Sequence, residues 1–570
     1  MKAFRKQCIC PFVAVTFLSL FGCMQLTGCV SDEVDNDQPV LTAYQESLIE
    51  KAPQQRTQQE GIQSLKPAAD PAMPPLKIVS DPNNELDQIQ LSIEEAVMRV
   101  LANSPEISVV SFEPSIAKEE VTQAVSVFDP ALFGQANYED EDDPANSTTL
   151  GGQSNSRLWE AGIKQRGTTG AEWSLGYTLT RNWDDLTTTV LSTRYEPIAT
   201  FQIRQPLLRD AWEKVNLAGV DIAKLNYKIA LASFRQQTEA VSTEVISLYW
   251  ALKQIRTDRQ IQQELLEKTQ ETLERVQDRK DIDASLAQIK QAETSLKRRL
   301  AFLYDIEKQV TDVQDQLVRL LADSQTNLLD DYEIVPTTEL VTQKTVFDQP
   351  GLLRTAMQQN PAILRSNLAV EIAQINVDVA KQQKMPKLDL VASTRFSGLD
   401  NSYRDAQEIL YDGDYNSYAV GLTLEIPLGN RQREAEYRKR LLERSKAASG
   451  RWNLSDQVAV AVKEAIRSAE TRFEQIQIQQ EAVLAATTYL QGLEDTEQIR
   501  QQLTPEFLLV KLQAQEALAE AARGEIKAIA DYNIALARLT QATGTVLDMR
   551  YVKNVLPEIT KADLQKDSVN

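Results

Sequence analysis

Two kinds of apolar periodicity alternate along the chain. In 241–255, Val241, Val245, Leu248, Leu252 and Ile255 recur at steps of four and three, and Val458, Val462, Ala465, Ala469, Phe473 and Ile476 nearly repeat the pattern. Such spacing lays an apolar stripe along a helix, as in a coiled coil, and marks packing residues rather than a cofactor site. Ahead of each helical stretch the period shortens to two. Ala199, Phe201 and Ile203 lead to Pro206, and Val420, Leu422 and Leu424 lead to Pro427. Between the latter lie Ala419, Gly421, Thr423 and Glu425, so this strand has one apolar and one polar face. The stretches "FQIRQPLLRDAWEKVN" (201–216) and "LEIPLGNRQREAEYRKR" (424–440) therefore predict two junctions, at Pro206 and Pro427, where a strand passes into a long charged helix. Proline has no backbone donor and stops strand pairing there.

The two junctions belong to a two-fold repeat. "LANSPEI" (101–107) corresponds to "MQQNPAI" (357–363), and at the same offset Pro130 of "VFDPAL" corresponds to Pro386. Each interval predicts a helix with a proline near its start and another after its end, followed by a strand. Both long helical patterns break once. In "RQQLTPEF" (500–507), Thr504 suits the N-cap, Pro505 the first turn and Glu506 the helix dipole. In "DRKDIDASL" (278–286), Asp281 or Asp283 is the expected cap. Beyond the breaks, Gln291-Ala292 corresponds to Gln513-Ala514. As helix, Pro206–Ile282 and Pro427–Thr504 would each run about 110 Å at ~1.5 Å per residue. The shorter returning segments, with the 105–130 and 361–386 helices stacked on them, would run about 100 Å beside them.

Chemistry narrows the picture further. The 570 residues carry a net charge of −20 and no histidine. The acidic balance argues against a general nucleic-acid binder. Lack of histidine removes the commonest general base and zinc ligand. No phosphate loop or paired-cysteine motif is present, and the carboxylates are spread along helix faces, so neither an enzyme nor a cofactor or metal is expected. No run after the leader is long and apolar enough for a transmembrane helix, which leaves strands for any membrane span.

All four cysteines fall within the first 29 residues. Lys2, Arg5 and Lys6 precede an apolar segment, and "LTGC" ends at Cys29. This resembles a bacterial lipoprotein signal peptide, with residues 1–28 removed and Cys29 lipidated. Cys23 is a poorer match because bulky Phe21 precedes it, and Val30 after the lipidated cysteine favours the outer membrane. Residues 29–85, rich in Gln, Asp and Pro, read as a flexible lipidated extension.

The order of elements, helix to Asn-Pro, helix to Pro, strands, "P-L", long helix, turn and returning helix, resembles the outer-membrane efflux protein family, the TolC-like channels. "NPAILRSNLAVEIAQINVDVAKQQKMPKLDL" and "LARLTQATGTVL" (536–547) match best. The resemblance implies a mixed α and β fold, mainly long antiparallel α-helical hairpins (an α-barrel) plus membrane β-strands, in two structural repeats. It implies a homotrimer that closes one transmembrane β-barrel from four strands per protomer. Repeats would span 86–330 and 350–548, joined by a linker at 331–349 and followed by a tail at 549–570. Two strands per half leave extra strand-like material at 156–166 and 171–181, which would form an added hairpin between spanning strands 131–139 and 197–205; the alternatives are a different choice of spanning strands or a larger barrel.

The function implied is a passive exit duct in a tripartite efflux or type I secretion system of a Gram-negative bacterium. Its partners would be a periplasmic adaptor, an inner-membrane pump or ABC transporter, and outer-membrane lipid, with no nucleic acid. The alternative is a non-conducting, lipidated periplasmic coiled-coil scaffold. Some relatives carry carboxylates just past the second turn that narrow a cation-preferring entrance. The corresponding positions here are Val510, Gln513, Gln288 and Gln291, so that gate does not carry over. Asp278, Asp281, Asp283 and Glu506, with Gln291, Thr504 and Gln513, are the candidate tip, adaptor-contact or gate residues.

Overall fold

The computed structural model describes residues 76–79, 87–142, 144, 152–185, 190–280, 284–323, 332–500 and 504–548. These divide into two units, one of 117–227 with 368–448 and one of the remainder. The lipoprotein leader, Cys29 and the tail lie outside the described residues.

The first unit is built on one six-stranded antiparallel sheet. Its strands are β3 (Ala131–Asp142), β4 (Gln153–Arg166), β5 (Glu172–Asp184), β6 (Thr193–Pro206), β8 (Lys387–Ser397) and β9 (Asn416–Glu425), adjacent in that order. Two expectations are corrected here. The strands at 156–166 and 171–181 do pair as a hairpin, but not as an addition to the sheet: β4 and β5 sit inside the ladder, pairing with β3 and β6 along nearly their whole lengths. Nor is the sheet a closed barrel, since β3 and β9 pair on one side only and leave it open at both edges. The chain is mixed α and β with long helices, but the barrel-forming trimer of four-stranded protomers is not what these strands build. The physical reason is that alternation such as "SRLWEAG" marks a strand equally well whether it is central or peripheral.

Register sets the two faces. Val420 lies opposite Ala392 and Leu422 opposite Leu390, and Ile203 opposite both Ala392 and Trp173. These share one apolar face, while Arg204, Asp389, Thr423 and Glu425 line the other. A short helix, α7 (Tyr403–Asp412), packs on β6 and β8. There Gly398 is obligatory, because a Cβ would lie 2.0 Å from the Ala406 carbonyl oxygen.

The second unit is helical. The long α3 (Ala218–Asp278) and α8 (Arg431–Arg500) are followed by returning α4 (Leu286–Leu321) and α9 (Pro505–Thr543). At ~1.5 Å per residue the 61 residues of α3 run about 90 Å and the 70 of α8 about 105 Å. The first falls short of its expected length because residues 207–217 form a turn that holds only a four-residue helical stretch, Glu213–Asn216. Val241, Val245, Leu252, Val462, Ala469 and Ile476 of the two stripes are buried as their spacing requires. Repeat helices α1 (Ile93–Asn103), α2 (Pro105–Val125), α5 (Gln349–Gln359) and α6 (Pro361–Gln383) begin or end at the repeated Asn/Ser-Pro steps.

A small sheet adds to the expected elements. β1 (Lys77–Val79) pairs antiparallel with β2 (Asp87–Leu91), which pairs parallel with β7 (Tyr332–Pro336). Leu91 and Ile334 sink into the main core around Tyr249 and Trp250 of α3. The Tyr249 hydroxyl donates to the Leu91 carbonyl at 3.0 Å and accepts from the Thr338 amide at 2.9 Å. Glu333 is clasped by Arg256 at 3.1 Å and Arg259 at 2.9 Å. Burial pushes its carboxyl upward, but the two guanidiniums outweigh that and hold it below the ordinary glutamate value. A depressed folded pKa contributes stability above the unfolded value and loses it as pH falls through the folded one. Glu333→Gln should therefore cost about 2 kcal/mol at neutral pH, a difference that fades as pH falls through and below the ordinary glutamate range. Urea unfolding of both chains across that range checks it, and a pH-independent difference would refute the linkage.

Candidate functional site

The sequence singles out two places, the hairpin turns and the strand-to-helix junctions. At the first hairpin turn, Asp278 is the exposed last residue of α3, whereas Asp281 and Asp283 fall outside the described residues. The cap of α4 is Ser285, not either aspartate. Its hydroxyl accepts from the Gln288 amide at 3.3 Å while the Gln288 side chain accepts from the Ser285 amide at 2.6 Å, a capping box. Ser285 escapes a sequence reading because it sits in "DIDASLAQ", where the preceding aspartates are equally good caps. At the second turn, Thr504 caps α9, accepting from the Phe507 amide at 3.3 Å, and Glu506 lies exposed in the first turn.

Corresponding residues just beyond the turns behave alike. Ala292 and Ala514 are both buried, while Gln291 is half-buried and Gln513 exposed. Leu273, Val276, Ile289, Leu508 and Leu512 join Ala292 in one apolar cluster. The turns of the two hairpins are thus packed by apolar side chains, while Asp278, Thr504, Glu506 and Gln513 are exposed.

Next to that cluster lies a group that no spacing rule flags. Arg299 of α4 is buried and reaches two other helices. Its guanidinium donates to Glu516 at 3.2 Å, to Gln515 Oε1 at 3.2 Å, to the Leu512 carbonyl at 2.8 Å and to Thr269. Gln262 of α3 donates in turn to the Arg299 carbonyl at 3.1 Å. One side chain therefore ties α3, α4 and α9 together. A single Arg in a Lys/Arg-rich run, "SLKRRLAF", offers no sequence signal that it points inward.

At the junctions, Pro206 is buried as the last residue of β6, opposite Asp389, while Pro427 lies two residues beyond β9. Asp389 is 2% exposed, with Lys387 at 3.5 Å and Arg204 at 3.7 Å. The apolar face of the sheet is open: Leu132 is 84% and Tyr418 85% exposed, and Val420, Leu422 and Leu424 are exposed as well. Among the described residues no group of three or more Cys, Asp or Glu residues is placed to hold a metal ion, and no helix is long and apolar enough to cross a membrane.

Residues 352–545 match the family model described as outer membrane efflux protein. The VceC outer membrane protein of Vibrio cholerae, 16% identical, superposes with a TM-score of 0.57 over 79% of this chain and 96% of its own. The CmeC outer membrane channel of Campylobacter jejuni is 14% identical, with a TM-score of 0.56 over 81% and 88%. The open state of the Neisseria gonorrhoeae MtrE outer membrane channel gives 13% and 0.59 over 80% and 89%. The chain has the outer-membrane efflux protein fold. The family match covers the second repeat, and the shared fold extends over about four fifths of the chain. No curated protein sequence matches the chain.

The exit-duct expectation, and with it the transmembrane β-barrel, is corrected by the sheet. The resemblance implied four strands per protomer, whereas this sheet has six, and they do not close on themselves.

Proposed function

We propose that the chain is a non-conducting, lipid-anchored scaffold of coiled-coil hairpins, held at the outer membrane and reaching into the periplasm. The observation that carries this reading is the pairing of two long helical hairpins, 218–321 and 431–543, with a sheet that does not close. Cys29 would bear the lipid after removal of residues 1–28. The repeats would occupy 86–330 and 350–548, with 29–85, 331–349 and 549–570 as extension, linker and tail.

By family likeness, its partners are a periplasmic adaptor and an inner-membrane pump of a tripartite system. The turn residues Asp278, Asp281, Asp283, Gln291, Thr504, Glu506 and Gln513 remain the candidate adaptor contacts or gate residues, of which Asp278, Thr504, Glu506 and Gln513 are exposed. No residue is assigned bond chemistry.

The test is electrical. Purified chain with Cys29→Ser and without the leader should stay dispersed without detergent and give no conductance steps in planar bilayers. Reproducible steps of constant size, at a protein concentration where the sample is monodisperse, would overturn the scaffold reading.

A further inference from the structure

Four neighbouring strands carry a row of side chains whose charges do not balance. Register places Tyr138 of β3 opposite Arg157 of β4, Arg157 opposite Arg181 of β5, and Arg181 opposite Tyr195 of β6. Cross-strand partners share a face, so the order across the sheet is Tyr-Arg-Arg-Tyr. The row lies far from the strand-to-helix junctions, since roughly 35 Å of extended chain separates Tyr195 from Pro206. Each guanidinium sits over the tyrosine of the strand that flanks the pair. Arg157 is 5.5 Å from the centroid of Tyr138, and Arg181 is 5.9 Å from that of Tyr195. Like charges directly opposite one another are unfavourable, and a carboxylate is the usual remedy. Arg194, on the other face of the sheet, has that remedy in Asp184 and in Glu196 at 3.0 Å. Among the described residues no carboxylate lies within 4.0 Å of either Arg157 or Arg181. Asp140, on their face of β3, instead accepts from the Tyr138 hydroxyl at 3.1 Å.

Both tyrosines are braced. Tyr138 accepts from the Asn155 side chain at 2.8 Å while donating to Asp140. The Tyr195 amide donates to the Asp400 carbonyl at 2.8 Å, and its ring meets Tyr403 of α7 edge-on, with centroids 6.2 Å apart. The two arginines are therefore held apart on fixed rings, with the surface over β4 and β5 between them. Arg157 is exposed and Arg181 half-buried, so both are within reach of a solute. Two rigid forks of N–H donors side by side match a group with two negative charges and at least three acceptor oxygens. A phosphate dianion has both, whereas a carboxylate has one charge and two oxygens, which a single arginine satisfies. The adjacent row on this face is apolar: Ala136, Trp159, Leu179 and Pro197 stand opposite one another in turn, and Trp159 is exposed.

We propose that Arg157 and Arg181 form a binding site for a phosphate dianion, free or as a monoester, which bridges the two guanidiniums between the tyrosine rings. The bound dianion supplies the negative charge that the pair lacks and removes their mutual repulsion. Trp159 and Leu179 beside it give an apolar substituent of the phosphate a surface to lie on. The site stands apart from the hairpin turns and from the scaffold role, and either holds without the other.

The test titrates the full mature chain carrying Cys29→Ser, by calorimetry, with inorganic phosphate and separately with lysophosphatidic acid below its micelle concentration. Saturable binding of at least one probe is expected. Binding of both with similar affinity places recognition in the phosphate alone, and binding of the lipid only adds the apolar row to the site. Lysophosphatidylcholine, whose phosphate is a diester with one negative charge, should bind far more weakly. Lysophosphatidic acid should bind more tightly as pH rises through about 6, where its second proton leaves. Arg157→Gln and Arg181→Gln should each weaken binding about tenfold, and the double variant little more than either, because one dianion bridges both. Arg194→Gln, on the opposite face, should leave binding unchanged. Without ligand the Arg157 and Arg181 variants should melt close to the wild type, since neither side chain is in the core, and phosphate should raise the melting temperature of the wild type more than theirs. No saturable binding of either probe overturns the site. So does equal binding by the wild type and the double variant, or lysophosphatidylcholine binding as tightly as lysophosphatidic acid.

Discussion

Gly544→Val should destabilise the helical unit by about 3–5 kcal/mol, a large loss for one added side chain. Gly544 is the left-handed C-cap of α9, with φ 72°, and its amide donates to the Gln541 carbonyl at 3.1 Å. A β-branched side chain loses about 1–2 kcal/mol in adopting that conformation. It would also collide with the second repeat's own Asn-Pro step, because even a Cβ would lie 2.8 Å from the Asn360 Cα and 2.9 Å from the Gln359 carbonyl oxygen. Backbone on both sides leaves little room to yield. The Gly544 carbonyl is held as well, accepting from Arg235 at 2.7 Å, while Arg235 is also paired with buried Glu239 at 2.9 Å. Urea unfolding followed by circular dichroism at the helix band measures the loss. Gly544→Asn, which tolerates the left-handed region, should lose less than valine; equal stability of valine and wild type would remove the argument.

Arg299→Ala should cost about 2–4 kcal/mol and loosen the three helices it joins near the hairpin turns. The loss has two parts. Truncation opens a cavity between the helices, and it leaves Gln515 and Thr269, both buried, without their donor. Glu516 is about half exposed, so its carboxylate rehydrates and contributes little to the penalty. Arg299→Met should therefore recover roughly half, because it refills the volume without restoring the hydrogen bonds. Hydrogen exchange locates the effect: amides of 262–273 and 508–516 should lose protection while the sheet is unchanged. Uniform loss across the chain, or no loss, would show that Arg299 is not a local tie.

Much of this molecule is legible in its residues. Heptad-like steps in 241–255 and 458–476 identify both long helices and the residues they bury, since a helical stripe of Val, Leu and Ile has no other stable use. Repeated Asn/Ser-Pro steps mark the starts of α2 and α6, because proline is well placed only in the first turn of a helix. Thr504 is recognisable as a cap from "LTPEF" alone. Ser285 is not, since aspartates precede it and capping depends on which residue ends up with extended backbone.

Everything set by distant pairing escapes such reading. Alternation in 156–181 announces strands but not their neighbours, so only the fold shows β4 and β5 inside one open ladder. A strand of three residues such as β1, or of five such as β7, has too little pattern to stand out, and both exist because β2 pairs with each. Arg299 and Trp212 differ in the same way from what their residue types suggest. A basic residue is buried because three helices converge on it, and a tryptophan is exposed because hydrogen bonds to Asn216 and Thr169 clamp its turn. Local sequence determined the periods and the cap at Thr504, because those depend on residues within a few positions of one another, and the recurrence of the same local patterns marked the repeat. Tertiary structure alone decided the open sheet, the tie between hairpins and the outward turn, because each needs a partner tens or hundreds of residues away, Thr169 in the case of the turn.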